Sequence, residues 1–216
     1  MHINLRVLLL VVMAISLCCW VLAYRPRDRY GRAVGLLLLL AFGVEVICFE
    51  LARRGVNTTA IYNSYLVLEF GLLLGLVGLG RPDRRGALVL SGGAGLTGVV
   101  YGLLRYRSLD FLLTEGIISM CLVVTGWSLV VLWDLARTSD EVLWRLPRFW
   151  LFMGMLIYFG GMVPFMGMLR FLYTEDPQLS RLLYQIITFV ALLKYLFASW
   201  AALRARQQRG WAEHAR

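Results

Sequence analysis

Long apolar stretches alternate with short polar gaps along the whole chain. Seven stretches, at 3–24, 32–51, 58–80, 86–104, 109–133, 147–169 and 182–203, each approach the roughly 20 residues a helix needs to cross the hydrocarbon core of a bilayer. The pattern predicts an all-α fold, a seven-transmembrane-helix bundle over 1–204, with a basic tail at 205–216. Short connections make successive helices antiparallel neighbours. No recurrence at 20 to 50 residues points to a solenoid or an array.

Composition agrees with the pattern. The chain is 60% hydrophobic and 16% charged, whereas soluble domains are closer to half apolar and a quarter charged, so the first partner implied is the lipid bilayer. The net charge of +9 does not imply nucleic acid, because the arginines are scattered through the gaps and form no basic face. They instead set orientation. Alternate gaps carry 14 Arg on one side and 7 on the other, and cytoplasmic loops hold the excess; the N-terminus is therefore expected outside and the C-terminus in the cytoplasm. A cleaved signal peptide is not expected: the first run is long for one, no A-x-A-like site follows, and Arg25, Arg27, Arg29 and Arg32 hold its far end inside.

Several gaps and stripes have character of their own. Thr138 and Glu141 have capping-box spacing ahead of Val142, Leu143, Trp144 and Leu146, which predicts a short amphipathic helix on the membrane surface before Pro147. Glu175, Asp176 and Pro177 mark a turn between the last two helices. Arg204, Arg206, Arg209 and Trp211 read as an anchor to anionic headgroups. Small residues recur every four positions as Ala94, Gly98 and Gly102, and as Gly71 and Gly75, which predicts close helix–helix approach. Gly160, Gly161 and Pro164 are expected to weaken or kink the sixth helix and form a candidate hinge.

The sharpest chemical feature is Lys194, the one lysine of the chain, placed near the middle of the last apolar run. An ionisable group at that depth marks a functional hypothesis, and its charge needs a partner. At 1.5 Å per residue Lys194 lies about 18 Å from the outer end of its run and Glu69 about 17 Å from that of the third. Glu69 is the first choice of partner and Glu45, at a similar level, the second. Glu50, Asn63 and Glu115 belong to the outer third, and Tyr62 and Tyr65 share a helix face with Glu69. One amine cannot neutralise four carboxyls, so the others must carry a proton or meet water, which suggests a polar pocket open to the outside. Cys18, Cys19, Cys48 and Cys121 show no disulfide or metal spacing, and His2 and His214 lie at the extreme ends, so no metal site is expected. No G-x-S-x-G, H-E-x-x-H or paired-Asp arrangement points to an enzyme.

Four readings are open: a structural ion pair in a scaffold subunit, ligand or ion sensing, proton- or cation-coupled transport, and a covalent chromophore on Lys194. A Lys in the seventh helix and a Glu in the third give an architectural resemblance to microbial rhodopsins, which implies retinal as a Schiff base. The position four residues before the lysine, usually Asp in those proteins, is Val190, and Trp150, Tyr158 and Pro164 stand at other spacings. Otherwise no cofactor is expected. The chain also resembles uncharacterised bacterial seven-helix integral membrane proteins, through Asn63, Tyr65 and Glu69-Phe70 in the third helix and Pro147, Phe149-Trp150, Tyr158-Phe159 and Gly161 in the sixth. That likeness implies a bacterial inner membrane and a sensory or accessory role. So little chain projects from the membrane that any output domain belongs to a separate signalling protein.

Overall fold

The computed structural model describes residues 2–23, 28–106, 113–175 and 177–214. They form seven long helices and no strand: α1 His2–Ala23, α2 Arg29–Arg53, α3 Thr59–Gly80, α4 Arg85–Tyr106, α5 Thr114–Thr138, α6 Pro147–Glu175 and α7 Pro177–His214. Each contains a segment long and apolar enough to span a membrane. Outward-facing Val21, Leu22, Val89, Leu90, Leu104 and Trp133 are all more than 60% exposed. A belt of that kind has no place in water, and the protein is a multi-pass membrane protein.

Local chemistry fixes the ends. The Asp28 carboxylate accepts the Tyr30 backbone N–H at 3.0 Å and caps α2. Past the end of α2, Gly55 takes φ +75°, a conformation that favours glycine, and Asn57 Oδ1 accepts the Thr59 N–H to start α3. The expected amphipathic helix before Pro147 is absent. Thr138 donates back to the Asp134 carbonyl at 2.7 Å inside α5, and Ser139 instead accepts the Glu141 N–H, leaving one 3-10 turn at Leu143–Arg145. The last two helices are longer than their apolar runs. α6 continues to Glu175 and α7 starts at Pro177, so the connection between them shrinks to Asp176, which lies outside the described residues. At its other end α7 continues through the basic segment to His214, and its 38 residues span about 57 Å.

Neighbouring helices pack in chain order, α7 closes on α1, and α3 also touches α5. The two small-residue stripes have different fates. A side chain on Gly98 would strike Ser119 and the Glu115 carbonyl, and one on Gly95 would sit 2.5 Å from the Phe70 ring, so α4 lies closely against α5 and α3 because it is glycine-rich there. Ser119 reinforces the crossing by donating to the Gly95 carbonyl at 2.6 Å. Gly71 and Gly75, by contrast, meet nothing within 4 Å; the expectation of a close approach there is not met, because that face of α3 has no helix backbone against it. Gly154 supplies a contact that no stripe indicated: its α-carbon leaves room for Phe197 and the Lys194 carbonyl of α7. α6 stays helical through Pro164, with Gly160 facing Thr125 and Gly161 facing Val190 at ordinary contact distance.

Candidate functional site

α3 and α7 stand on opposite sides of the bundle interior, and their long side chains meet across it. Lys194 Nζ donates to Glu69 Oε1 at 2.7 Å, with the two side chains 10% and 5% exposed. At that burial a charge without a partner is costly and a paired one tolerable. Three rings complete the enclosure. The Lys194 ammonium lies 4.4 Å from the centroid of Tyr158, 5.3 Å from Phe159 and 5.1 Å from Tyr195, within the range of attraction between a cation and a ring. The buried Tyr65 hydroxyl lies within electrostatic reach of Glu69, and the Cys121 thiol within reach of both members of the pair.

A second couple lies nearer the N-terminal end of the bundle. Tyr62 Oη donates to Glu45 Oε2 at 3.1 Å, with Arg6 of α1 and Cys48 within electrostatic reach. Tyr62 therefore serves Glu45, while Tyr65, three residues on, stays beside Glu69. The buried Tyr195 lies within electrostatic reach of both Glu69 and Glu45. The polar side chains thus form a series from the exposed Arg6 and the half-buried Glu45 and Tyr62 to the buried Tyr195, Glu69 and Lys194.

The other candidate residues lie apart from this series. Glu50 faces outward at the end of α2 and pairs with Arg54 at 2.9 Å and Arg53 at 3.7 Å. The buried Asn63 accepts the Leu113 backbone N–H at 3.2 Å and ties α3 to the start of α5. Glu115 lies 3.7 Å from Arg105 of α4. Asn63 and Glu115 thus serve the helix ends around Leu113.

At the C-terminal end is a cluster that the sequence did not indicate. Arg81 at the end of α3 forms an ion pair with Asp134 of α5, and the Arg148 guanidinium of α6 lies 4.7 Å above the Tyr30 ring of α2. These residues line a cavity of about 190 Å³. In the sequence Arg81 and Arg148 register only as two of many loop arginines, and Asp134 as a residue at a loop edge; four helix ends must converge before they form a group.

Between the two levels the interior is largely apolar. From Glu69 to Arg81 is twelve residues of α3, about 18 Å, and Lys194 to Arg204 is ten of α7, about 15 Å. No Asp, Glu, Lys, Arg or His stands in either stretch. Leu73, Leu76, Phe152, Met155, Ala198 and Ala201 fill that layer, each 5% exposed or less. The polar groups there are uncharged: Ser128 donates to the Val124 carbonyl one turn back, and Trp20 Nε1 of α1 donates to the Ala198 carbonyl of α7. Comparison with protein-family models, with curated proteins and with solved structures gives no match.

Proposed function

We propose that the protein is a receptor-like, sensory membrane protein whose input element is the Lys194–Glu69 pair and whose output runs along α7. The observation that carries this reading is that the polar series is one-sided. Polar side chains are set in series from the exposed Arg6 through the Tyr62–Glu45 couple to the Lys194–Glu69 pair, and beyond that pair comes the apolar layer of Leu76, Phe152 and Ala201. A transporter needs polar groups or water on both sides of its central site, whereas a sensor needs access from one side and a mechanical link to the other. α7 is such a link. It holds Lys194, packs against α1 and α6, and continues unbroken to Gln208, whose amide donates to Glu141 and to the Arg145 carbonyl.

The stimulus acts by changing the partner of Glu69 or Lys194, through a cation, an organic ion or a proton arriving from the N-terminal side. With the arginine asymmetry, that side is the cell exterior and the α7 tail reports to a separate signalling protein in the cytoplasm. The enclosure of Lys194 by Glu69, Tyr158, Phe159 and Tyr195 argues against a retinal Schiff base there, because those groups occupy the space beside the amine that a polyene would take.

Reconstitution into liposomes separates sensing from transport. Sensing predicts that imposed proton, sodium or potassium gradients decay no faster with the protein than in empty vesicles. Accelerated decay that Glu69→Gln abolishes in a folded protein would replace sensing with transport.

A further inference from the structure

The cavity at the C-terminal end lies where the ends of α2, α3, α5 and α6 converge. Two guanidinium groups line it against one carboxylate. Asp134 is taken by Arg81, whereas among the described residues the Arg148 guanidinium forms no ion pair and lies over the Tyr30 ring. The Tyr30 hydroxyl oxygen is buried without a hydrogen-bond partner. A surplus positive charge and the Tyr30 side chain thus border one space of about 190 Å³, with the unused hydroxyl buried beside it. A buried hydroxyl with nothing to bond is unfavourable, and a free guanidinium fork matches phosphoryl oxygens two at a time. The level is also right for lipid, since a helix end abutting the apolar layer sits among headgroups.

We propose that this cavity binds a phosphate group, with Arg148 as the direct ligand, the Tyr30 hydroxyl joining it through a shift of its ring, and Arg81 held in place by Asp134. An anionic phospholipid headgroup and a free phosphate share this chemistry. The Arg81–Asp134 pair keeps the second guanidinium oriented while limiting the surplus to a single positive charge, which suits a phosphodiester monoanion. A bound headgroup would join the ends of α2 and α6, and so set the base against which α7 moves.

The test is thermal denaturation of the full chain in detergent, titrated separately with inorganic phosphate, with phosphatidylglycerol and with phosphatidylcholine at constant ionic strength. Stabilisation by phosphatidylglycerol above phosphatidylcholine, with phosphate inactive, identifies a headgroup; stabilisation by phosphate as well identifies a site open to the soluble ion. Either result must weaken about tenfold in midpoint concentration in R148Q, less in R148K, and measurably in Y30F. R85Q, which removes an exposed arginine at the same end of the bundle, must respond as wild type. No stabilisation by phosphate or phosphatidylglycerol, or equal responses from R148Q and R85Q, overturns the proposal. Should R148Q not fold, R148K and Y30F carry the comparison, and wild-type responses from both overturn it equally.

Discussion

The Lys194 ammonium and the Glu69 carboxylate are each acceptable in the interior only because the other is there. Removing one leaves an uncompensated buried charge, which costs about 3–5 kcal/mol, while replacing both by apolar groups is often tolerated. Lys194→Met and Glu69→Leu should therefore each lower the melting temperature, and the double variant should regain most of the loss. Additive losses would mean that the pair is not coupled. At Glu45 the expected effect is smaller: Tyr62→Phe removes one hydrogen bond and should cost about 1 kcal/mol in thermal unfolding. A loss several times larger would mean that Tyr62 has a second role. Added all-trans retinal should give no visible absorption band, and a band that Lys194→Met removed would assign Lys194 as a Schiff base. The pairing of Lys194 with Glu69 was legible in the sequence because depth along a helix follows from residue count. The partner of Tyr62 was not, since choosing between Glu45 and Glu69 depends on how α2 is rotated against α3, and spacing within one helix carries no record of that.

Among the elements, α4 and α3 make opposite use of the same small-residue spacing. Gly98 lies against the Glu115 carbonyl and Ser119, so Gly98→Ala must push α4 from α5 and should cost about 1–3 kcal/mol. Gly75→Ala adds a methyl to open space and should leave stability within about 0.5 kcal/mol of wild type. Unfolding of the two variants in one detergent checks the contrast, and equal losses would show that α4 does not approach α5 as described. A four-residue period says that a helix has a narrow face; whether another helix occupies that face is a property of the bundle. The same limit explains α6 and α7. Their apolar runs marked the membrane-spanning parts, but helical hydrogen bonding continues into polar sequence beyond them, through Glu175 and to His214, because polar residues such as Arg, Gln and Glu are good helix formers once in water.

For the whole molecule, seven spans and their antiparallel order could be read directly, since hydrophobic length is set by the bilayer and short gaps leave no alternative order. The cluster at Tyr30, Arg81, Asp134 and Arg148 could not, because its members come from four helix ends far apart in the chain. Orientation is a matter for chemistry in cells. With 14 arginines against 7, single cysteines placed at Asn57 in a cysteine-free background should react with an impermeant thiol reagent applied from outside, and those at Asp83 and Ser139 should not. The reverse pattern would turn the polar series toward the cytoplasm and the α7 tail outward.

The central claim is that the state of the Lys194–Glu69 pair is transmitted along α7 to the segment where Gln208 meets Glu141 and Arg145. It is tested most directly by pulsed electron–electron double resonance between spin labels at Asp140 and Gln207 in nanodiscs, comparing wild type, Glu69→Gln, Lys194→Met and, as a control, Glu50→Gln. The account predicts that both changes at the pair shift or split the distance distribution and that Glu50→Gln, whose carboxylate pairs with the exposed Arg53 and Arg54 at the end of α2, leaves it as in wild type. Identical distributions in all four proteins would contradict the claim and leave the pair as architecture alone.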